Sequence, residues 1–471
     1  MTNKLDIINS FVWGIPALLL ILVVGLCYGV RTGWVQIALF PHGCKLFVSQ
    51  FRKKPVKGET SGFRALCTAL AATVGTGNIA GVAGAIAIGG PGAIFWMWIC
   101  GILGMGIKFA EASLAVRYRH RDSCGQWVGG PMYMIRKGLG VRFDCIGRAY
   151  CVLGIIASLG VGNATQVNAV VTGLSEAVMA FGGSVEWPLT LLLGILLAIL
   201  AISAVRGGAS RIGAIAECLV PFAACVYILL SLGVFLFHPA AVGKALSSII
   251  TGALSPAAVT GGTLVSAFRT LRVGASRGVF TNEAGMGTAS IAHAAANVAH
   301  PVQQGLMGVL EVFLDTIVIC TVTALVILCC GMEIPYGTDT GAALTAEAFA
   351  CVYGIWAKPL IAGFICCFAV ATLLGWGLYG LRCAQFLFGE NASVLFSVLQ
   401  VVAVIAGALL KTEIVWLISE LVNGLMVIPN LFALICLCPE VVRLIHEYNE
   451  IRTVKAVNGG TYANFYQRKS L

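Results

Sequence analysis

Charged side chains are scarce in this sequence. Asp, Glu, Lys and Arg make up 11% of its 471 residues, whereas a soluble domain usually carries about 25%. Hydrophobic residues make up 59% of the chain, and the mean hydropathy is +0.93. This composition excludes an ordinary soluble globular protein and favours an integral membrane protein.

The net charge of +10 does not come from a basic surface on a soluble domain. The basic residues lie in loops between apolar segments, as the positive-inside rule predicts for a membrane protein. We therefore expect membrane lipid to surround the chain and no nucleic acid to bind it.

Metal-binding and catalytic patterns are also missing. Most of the 18 cysteines lie inside apolar runs, and none forms a CxxC pair, so they are interpreted as small hydrophobic residues. No convergent set of nucleophile and base is visible. The sequence predicts a protein that is not an enzyme and has no cofactor.

Long apolar runs dominate what remains. Because about 20 apolar residues cross a bilayer core of roughly 30 Å, the sequence predicts an all-α polytopic protein with about eleven transmembrane helices. Their expected bounds are Phe11–Val30, Phe63–Ile88, Ile94–Val116, Cys145–Leu174, Pro188–Ala204, Ile212–Phe237, a weaker glycine-rich segment Thr263–Ala296, Gly305–Cys330, Leu360–Leu381, Ala392–Leu410 and Ile414–Leu437. A cleaved signal peptide is the less favoured reading of the first run, which is long and lacks a clear cleavage site.

Lys and Arg cluster after the first and third runs and in the C-terminal tail. This asymmetry places the N-terminus outside and the C-terminus in the cytoplasm. Arg269, Arg272 and Arg277 do not fit the pattern. They either line a wet vestibule or show that the seventh helix has different bounds.

Two of the runs contain clustered glycine and polar residues, Thr73–Asn78 in the second and Asn282–Gly287 in the seventh. Unpaired backbone groups in a bilayer cost several kcal/mol each, so such stretches are tolerated chiefly around an enclosed site. Tight helix packing on glycine is the alternative. We favour a site because Thr76, Asn78 and Glu283 add polar atoms that packing does not need.

The two broken segments divide the chain into similar halves. We expect an additional N-terminal helix with a basic loop in 1–61, five-helix repeats in 62–238 and 261–438, an extracellular connection in 239–260, and a cytoplasmic tail in 439–471. Each repeat begins with its broken helix, and the two enter the membrane from opposite sides. Paired interruptions in inverted halves indicate a transporter site at the membrane midplane.

Ionisable residues inside the spans were weighed separately. We expect Lys108 to pair with Glu111, three residues away, near the cytoplasmic end of its helix. Glu311 and Asp315 either carry protons or cations or pair with an arginine such as Arg277, and the pairing is favoured.

Several motifs resemble those of the alanine or glycine:cation symporter family. They cover the first two thirds of the chain and continue more weakly into the last third. The matching stretches are Gly75–Ala83, Gly89–Trp98, Gly129–Tyr133, Thr281–Gly287, Ala292–Ala296, Gly375–Trp376 and Tyr379–Gly380.

The resemblance implies a LeuT-type inverted repeat of five plus five helices with one additional N-terminal helix. It implies sodium-coupled uptake of alanine or glycine in a bacterial inner membrane. The substrate-binding residues that it implies are Thr76, Gly77, Asn78, Gln166, Phe280, Asn282, Glu283, Gly285, Met286, Gly287 and Trp376. The sodium ligands that it implies are the carbonyls of Ala71 and Val74 and the hydroxyl of Thr372.

Two other functions remain open at this point. The same architecture can use protons or carry another small solute. An amino-acid sensor that binds without transport is a weaker alternative, because no signalling domain is visible.

Overall fold

The structure, a computed structural model, describes residues 15–51, 60–255, 266–338, 341–410 and 413–458. Within these ranges the regular secondary structure is helical, apart from a hairpin of two short antiparallel strands and an isolated bridge between Thr60 and Ala296, and turns and loops connect the elements. The strands are β1 (His120–Arg121) and β2 (Trp127–Val128). The α-helices of the first part of the chain are α1 (Ile15–Arg31), α2 (Val35–Ala38), α3 (Phe40–Phe51), α4 (Gly62–Thr73), α5 (Val82–Gly89), α6 (Gly92–Tyr118), α7 (Pro131–Met134), α8 (Asp144–Leu159), α9 (Thr165–Met179), α10 (Trp187–Val205), α11 (Gly208–Phe237) and α12 (Pro239–Leu254).

The second part of the chain continues in the same way. Its α-helices are α13 (Ala267–Asn282), α14 (Thr288–Ala294), α15 (Pro301–Val312), α16 (Thr321–Cys329), α17 (Ala342–Tyr353), α18 (Ala357–Phe388), α19 (Ala392–Leu409) and α20 (Glu413–Asn458). Other helical geometries join several of these elements. They are the π-helices Gly77–Gly81, Ile135–Leu139, Gly160–Ala164 and Phe313–Cys320 and the 3₁₀ turns Val141–Phe143 and Gly354–Trp356.

The prediction of a multi-pass membrane protein is confirmed. Among the described residues, eight helical stretches are long and apolar enough to cross a membrane, and the bent pair Gly62–Thr73 and Gly77–Gly89 makes a ninth if it is one span. These nine correspond to predicted spans two to six and eight to eleven. The first predicted span begins outside the described residues, and the seventh is divided into helices of 16 and 7 residues. The count of eleven therefore stays a prediction.

Exposed apolar faces agree with a lipid environment. On α10, Leu192, Leu196 and Ile199 recur at helical spacing on one face and are 51%, 54% and 60% exposed. Such a face is unfavourable in water, whereas in a bilayer it contacts lipid tails.

Three helices of 12 or more residues lie where the sequence predicted only connections, namely α3, α12 and α17. They have 12, 16 and 12 residues, so each is too short for a search based on spans of about 20 apolar residues. In addition, α20 runs to Asn458, well past its predicted membrane end at Leu437. Part of the predicted cytoplasmic tail is therefore helical.

Two long helices position the broken segments. Helix α6 packs against α13 and α15, and helix α18 packs against α4, α8 and α9. Most residues of the central and C-terminal parts of α6 and α18 are buried. The first broken helix therefore lies against α18 and the second against α6.

Candidate functional site

The first broken helix is interrupted at residues 74–75, between α4 and the π-helix Gly77–Gly81. Its axis bends by 56° across this break. Asn78 stabilises the irregular backbone, because its side-chain Oδ1 accepts a 2.9 Å hydrogen bond from the Gly75 N–H. The predicted interruption of this helix is confirmed.

The second broken helix is interrupted over residues 283–287, between α13 and α14. Glu283, Gly285 and Gly287 have φ angles of 53°, 91° and 78°, a left-handed region that favours glycine. A Cβ atom at Gly287 would also lie 2.5 Å from Pro131 Cγ. Both backbone conformation and close packing therefore require glycine at this position.

Two other helices anchor this second turn. Glu111 of α6 accepts hydrogen bonds on Oε1 from the N–H groups of Gly285 at 3.0 Å and Gly287 at 3.1 Å. Asn430 of α20 donates to the same carboxyl oxygen at 2.7 Å and to the Gly285 carbonyl at 2.9 Å. The turn thus has its backbone groups satisfied inside the protein, as a buried irregular segment requires.

The two broken helices lie directly beside each other. A Cβ atom at Gly77 would lie 3.2 Å from Thr281 Cγ2 and 3.8 Å from the ring of Phe280. Gly77 and Phe280 are half-buried, whereas Thr76 and Asn282 are buried. A larger side chain at Gly77 would require Thr281 to shift, so glycine favours this close approach.

Trp376 of α18 packs against the π-helix Gly160–Ala164, which leads into α9 and Gln166. Gly162 packs on the tryptophan so closely that a Cβ atom there would lie 2.1 Å from Trp376 Cβ. The Gln166 Nε2 donates to the Val161 carbonyl at 3.0 Å, and its Oε1 is buried without a hydrogen-bond partner. Trp376 Nε1 donates to Glu283 Oε1 at 3.0 Å, so the tryptophan also contacts the second break.

The predicted sodium ligands lie around the first break. Thr372 Oγ1 is buried without a hydrogen-bond partner, and a Cβ atom at Gly75 would lie 2.9 Å from it. Ala71 and Val74 are buried on the adjoining backbone. An unpartnered hydroxyl oxygen beside interrupted backbone fits the oxygen ligands that a hard cation requires.

Other predicted substrate ligands have protein partners in this structure. Asn78 Nδ2 donates to Asp315 Oδ1 at 2.8 Å, and Asn282 Nδ2 donates to Thr316 Oγ1 at 3.1 Å. Met286 is buried, and its carbonyl accepts a hydrogen bond of 3.1 Å from the Tyr150 hydroxyl. These contacts shape the broken helices from within the protein.

The buried ionisable residues form a network that differs from the predicted one. Lys108 Nζ lies 4.0 Å from Glu111 Oε2, so the expected pair exists, but it lies only 3.3 Å from Glu311 Oε1. Glu311 Oε2 lies 2.8 Å from His293 Nε2. The expected pairing of Glu311 and Asp315 with an arginine is therefore wrong, because α6, α14 and the first broken helix supply their partners.

Sequence reasoning also missed residues that contact the broken helices, among them Tyr150, Asn430 and Thr345. Asn430 anchors the second break as described above, and Thr345 Oγ1 of α17 donates to the Ile79 carbonyl at 3.2 Å. A polar amide within an apolar run is a signal that could have identified Asn430. Thr345 lies in a segment read as a connection, where a threonine carries no such signal.

Comparisons with known proteins agree with this architecture. The chain is 40% identical over 461 residues to the sodium/alanine symporter AgcS of Methanococcus maripaludis, covering 97% of this chain and 99% of that protein. It is 36% identical over 452 residues to the probable sodium/glutamine symporter GlnT of Bacillus subtilis, covering 95% and 91%.

A solved structure shows a likeness of fold alone. The structure of MhsT in complex with L-phenylalanine matches with a TM-score of 0.56 at 14% identity, over 83% of this chain and 99% of that one. The fold is accordingly that of LeuT-type transporters. The profile of the sodium:alanine symporter family matches residues 1–459, and the chain belongs to this family of membrane transporters.

Proposed function

We propose that the protein imports alanine or glycine together with sodium, by alternating access around a site between the two broken helices. The observation that carries this proposal is the close approach of Gly77 to Thr281 and Phe280. Paired broken helices that meet inside a membrane protein suit a site that opens to either side in turn. The 40% identity to a sodium/alanine symporter over nearly the whole chain supports the same function.

The substrate fits this place by its chemistry. The helix that follows the first break, starting at Thr76 and Gly77, presents its positive dipole end to a carboxylate. The unpartnered Oε1 of Gln166 can accept a hydrogen bond from the ammonium group. The rings of Phe280 and Trp376 limit the room for a side chain, which favours alanine and glycine.

A small unfilled space supports this size limit. Gly81 is buried one helical turn beyond Gly77, yet a Cβ atom there would meet no heavy atom within 4 Å. A methyl group is the kind of side chain that such a space accommodates. The relative GlnT, a probable sodium/glutamine symporter, indicates that substrate size varies among the chain's relatives.

Sodium is proposed as a co-substrate at the first break. The carbonyls of Ala71 and Val74 and the hydroxyl of Thr372 would hold it, because the hydroxyl oxygen is otherwise unpartnered in a buried place. A cation there would favour the interrupted form of the helix. Sodium binding would thereby favour substrate binding.

The remaining expectations about architecture are part of this proposal. We propose eleven spans, with an additional N-terminal helix, inverted repeats in 62–238 and 261–438, an outside N-terminus, and residence in a bacterial inner membrane. A reporter that fluoresces only in the cytoplasm, fused to the C-terminus, should be bright. A dark, membrane-inserted fusion would contradict the orientation.

Uptake by purified protein in liposomes tests the function. Labelled alanine and glycine should accumulate under an inward sodium gradient, and much less under a proton gradient or no gradient. Accumulation driven equally by protons would favour the alternative of proton coupling, for which the buried Glu311 and Asp315 offer carriers. Binding without accumulation under any gradient would favour a sensor.

The predicted substrate contact of Gln166 gives a residue-level test. Gln166→Ala should reduce alanine uptake at least tenfold, about the effect of one lost hydrogen bond to a charged group. The matched control is Gln385→Ala, since Gln385 contacts Arg382 at the end of α18 instead of the broken helices. Wild-type uptake by a folded Gln166→Ala protein would contradict the assignment.

A further inference from the structure

Asn78 follows the first break and Asn282 precedes the second, and each side chain caps a backbone N–H of its break. Asn78 Oδ1 accepts a 2.9 Å hydrogen bond from the Gly75 N–H, and Asn282 Oδ1 accepts one of 2.9 Å from the Ala284 N–H. Because a backbone N–H can only donate, these contacts fix which amide atom is oxygen in each side chain. Each Nδ2 is therefore free to donate elsewhere.

Both amide nitrogens donate to one pair of consecutive residues. Asn78 Nδ2 donates to Asp315 Oδ1 at 2.8 Å, and Asn282 Nδ2 donates to Thr316 Oγ1 at 3.1 Å. The Thr316 hydroxyl in turn donates to Asp315 Oδ2 at 2.9 Å. An unbroken chain of hydrogen bonds therefore runs from the backbone of the first break to the backbone of the second.

The four residues of this hydrogen-bond chain are buried, so water cannot readily take the place of a lost partner. Asp315 and Thr316 are fully buried, as is Asn78, and Asn282 is 1% exposed. Where water has little access, a polar group that loses its partner costs more than it would at the surface. The pair also lies in the π-helix Phe313–Cys320, a geometry that often accompanies functional sites.

We propose that Asp315 and Thr316 are positioning residues that couple the two broken helices, so that a change of backbone at one break alters the other. This coupling extends the function proposed above and depends on it, because it serves transport only if the protein is a transporter. The pair acts through Asn78 and Asn282, without touching the substrate. Sodium bound beside Gly75 would affect the second break through this chain of hydrogen bonds.

Substitution of Thr316 tests the coupling. Thr316→Val keeps the shape of the side chain and removes the hydroxyl, so Asn282 Nδ2 and Asp315 Oδ2 both lose a partner. We expect the factor by which saturating sodium increases alanine affinity to fall about tenfold, the scale of one buried hydrogen bond. Thr316→Ser should restore the factor, because serine keeps the hydroxyl.

A buried threonine on the adjoining helix gives the matched control. Thr323 Oγ1 lies 2.8 Å from the Tyr227 hydroxyl, away from both breaks. Thr323→Val should leave the sodium effect on alanine affinity at its wild-type value. An equal loss in Thr316→Val and Thr323→Val would overturn the proposal in favour of general destabilisation, and an unchanged sodium effect in Thr316→Val would overturn it outright.

Amide hydrogen exchange tests the same link without any substrate. In Asn282→Ala, the amide of Ala284 loses its acceptor directly. If the hydrogen-bond chain couples the two breaks, the distant Gly75 amide should also exchange about tenfold faster than in the wild type. Unchanged exchange at Gly75 would overturn the coupling.

This second measurement separates the two proposals. Faster Gly75 exchange in Asn282→Ala, with no amino-acid transport by the wild-type protein, would support the coupling and contradict the proposed function. Sodium-driven alanine uptake by the wild-type protein, with unchanged Gly75 exchange in Asn282→Ala, would support the function and contradict the coupling.

Discussion

The two broken helices are held in place by different means. The first is interrupted over two residues, and its cap comes from Asn78, three residues along the same segment. The second is interrupted over residues 283–287, with three positive φ angles. Its anchors, Glu111 and Asn430, belong to α6 and α20.

This difference determines how far the backbone can change at each break. A cap that belongs to the same segment moves with it, so the first break can change its bend while its backbone groups stay satisfied. A large change at the second break would require it to leave two other helices and expose backbone groups in a dry interior. We therefore expect the first broken helix to change more than the second in response to ligands, with Gly285 and Gly287 still bonded to α6.

Removal of the anchor on α6 should have the largest effect. Glu111→Ala leaves three N–H donors without their acceptor, from Gly285, Gly287 and Asn430. We expect the free energy of unfolding to fall by about 3–5 kcal/mol and transport to be lost. Thermal unfolding in detergent and uptake in liposomes measure the two effects.

A carboxyl group with solvent-exposed partners provides the control for this prediction. Glu440 pairs with Arg117 at 2.8 Å and with Arg443 at 2.5 Å, and these arginine side chains are 46% and 53% exposed. Glu440→Ala should therefore cost at most about 1 kcal/mol. Similar losses in Glu111→Ala and Glu440→Ala would show that the second break does not depend on its anchor.

Alanine at Gly287 should have the next largest effect. The residue has φ of 78°, and a Cβ atom would lie 2.5 Å from Pro131 Cγ and 2.6 Å from Asn430 Oδ1. Backbone strain and the clash together should lower the free energy of unfolding by roughly 2–4 kcal/mol. Denaturation in detergent measures the loss.

Gly182 separates the two causes of this effect. It has the same φ of 78° in the turn that ends α9, where the Gly183 N–H donates to the Val178 carbonyl, but a Cβ atom there would meet nothing within 4 Å. Gly182→Ala should therefore show only the backbone strain, about 1–2 kcal/mol. Equal destabilisation by the two substitutions would mean that the contacts with Pro131 and Asn430 do not constrain the turn.

The sequence indicated the breaks better than it indicated their anchors. Thr73–Asn78 and Asn282–Gly287 interrupt apolar runs with glycine and polar residues, a local pattern that one sequence can show. Glu111, in contrast, bonds to Gly285 across 174 positions, and no local pattern encodes such a pairing. The same reason explains why Asp315 was assigned the wrong partner.

Length limited the prediction of the fold in a similar way. Apart from the C-terminal extension of α20, the longer helices were predicted to within several residues at their ends, because about 20 apolar residues are a strong signal. Helices α12 and α17 were missed, since 16 and 12 residues do not reach that length. Yet α17 contributes Thr345, which contacts the first broken helix at Ile79.

Alanine at Gly75 should affect sodium more than folding. The added Cβ would lie 2.9 Å from Thr372 Oγ1. Among the described residues, this hydroxyl is the only atom from another segment within 4 Å of the added Cβ. A small shift of Thr372 relieves the contact, so we expect a stability loss of only about 1 kcal/mol. The sodium concentration for half-maximal uptake should rise about tenfold, because the hydroxyl leaves its place beside the break.

Thr372→Val and Thr372→Ser sharpen this prediction. The valine variant should raise the sodium requirement as Gly75→Ala does, and the serine variant should keep it near the wild-type value. A normal sodium requirement in both Gly75→Ala and Thr372→Val would remove the proposed cation from the first break.

Alanine at Gly81 should have the smallest effect on stability. Gly81 has φ −66° and ψ −36°, a helical conformation open to any residue, and a Cβ atom there would meet nothing within 4 Å. Because alanine also favours helix, the free energy of unfolding should change by less than about 1 kcal/mol.

If the space beside Gly81 receives the substrate methyl group, Gly81→Ala should lower alanine uptake relative to glycine uptake by up to about tenfold, the scale of one methylene. Competition between labelled alanine and glycine measures this ratio. An unchanged ratio in a folded protein would place the substrate methyl elsewhere, whereas lost stability would show that the first break is as rigid as the second.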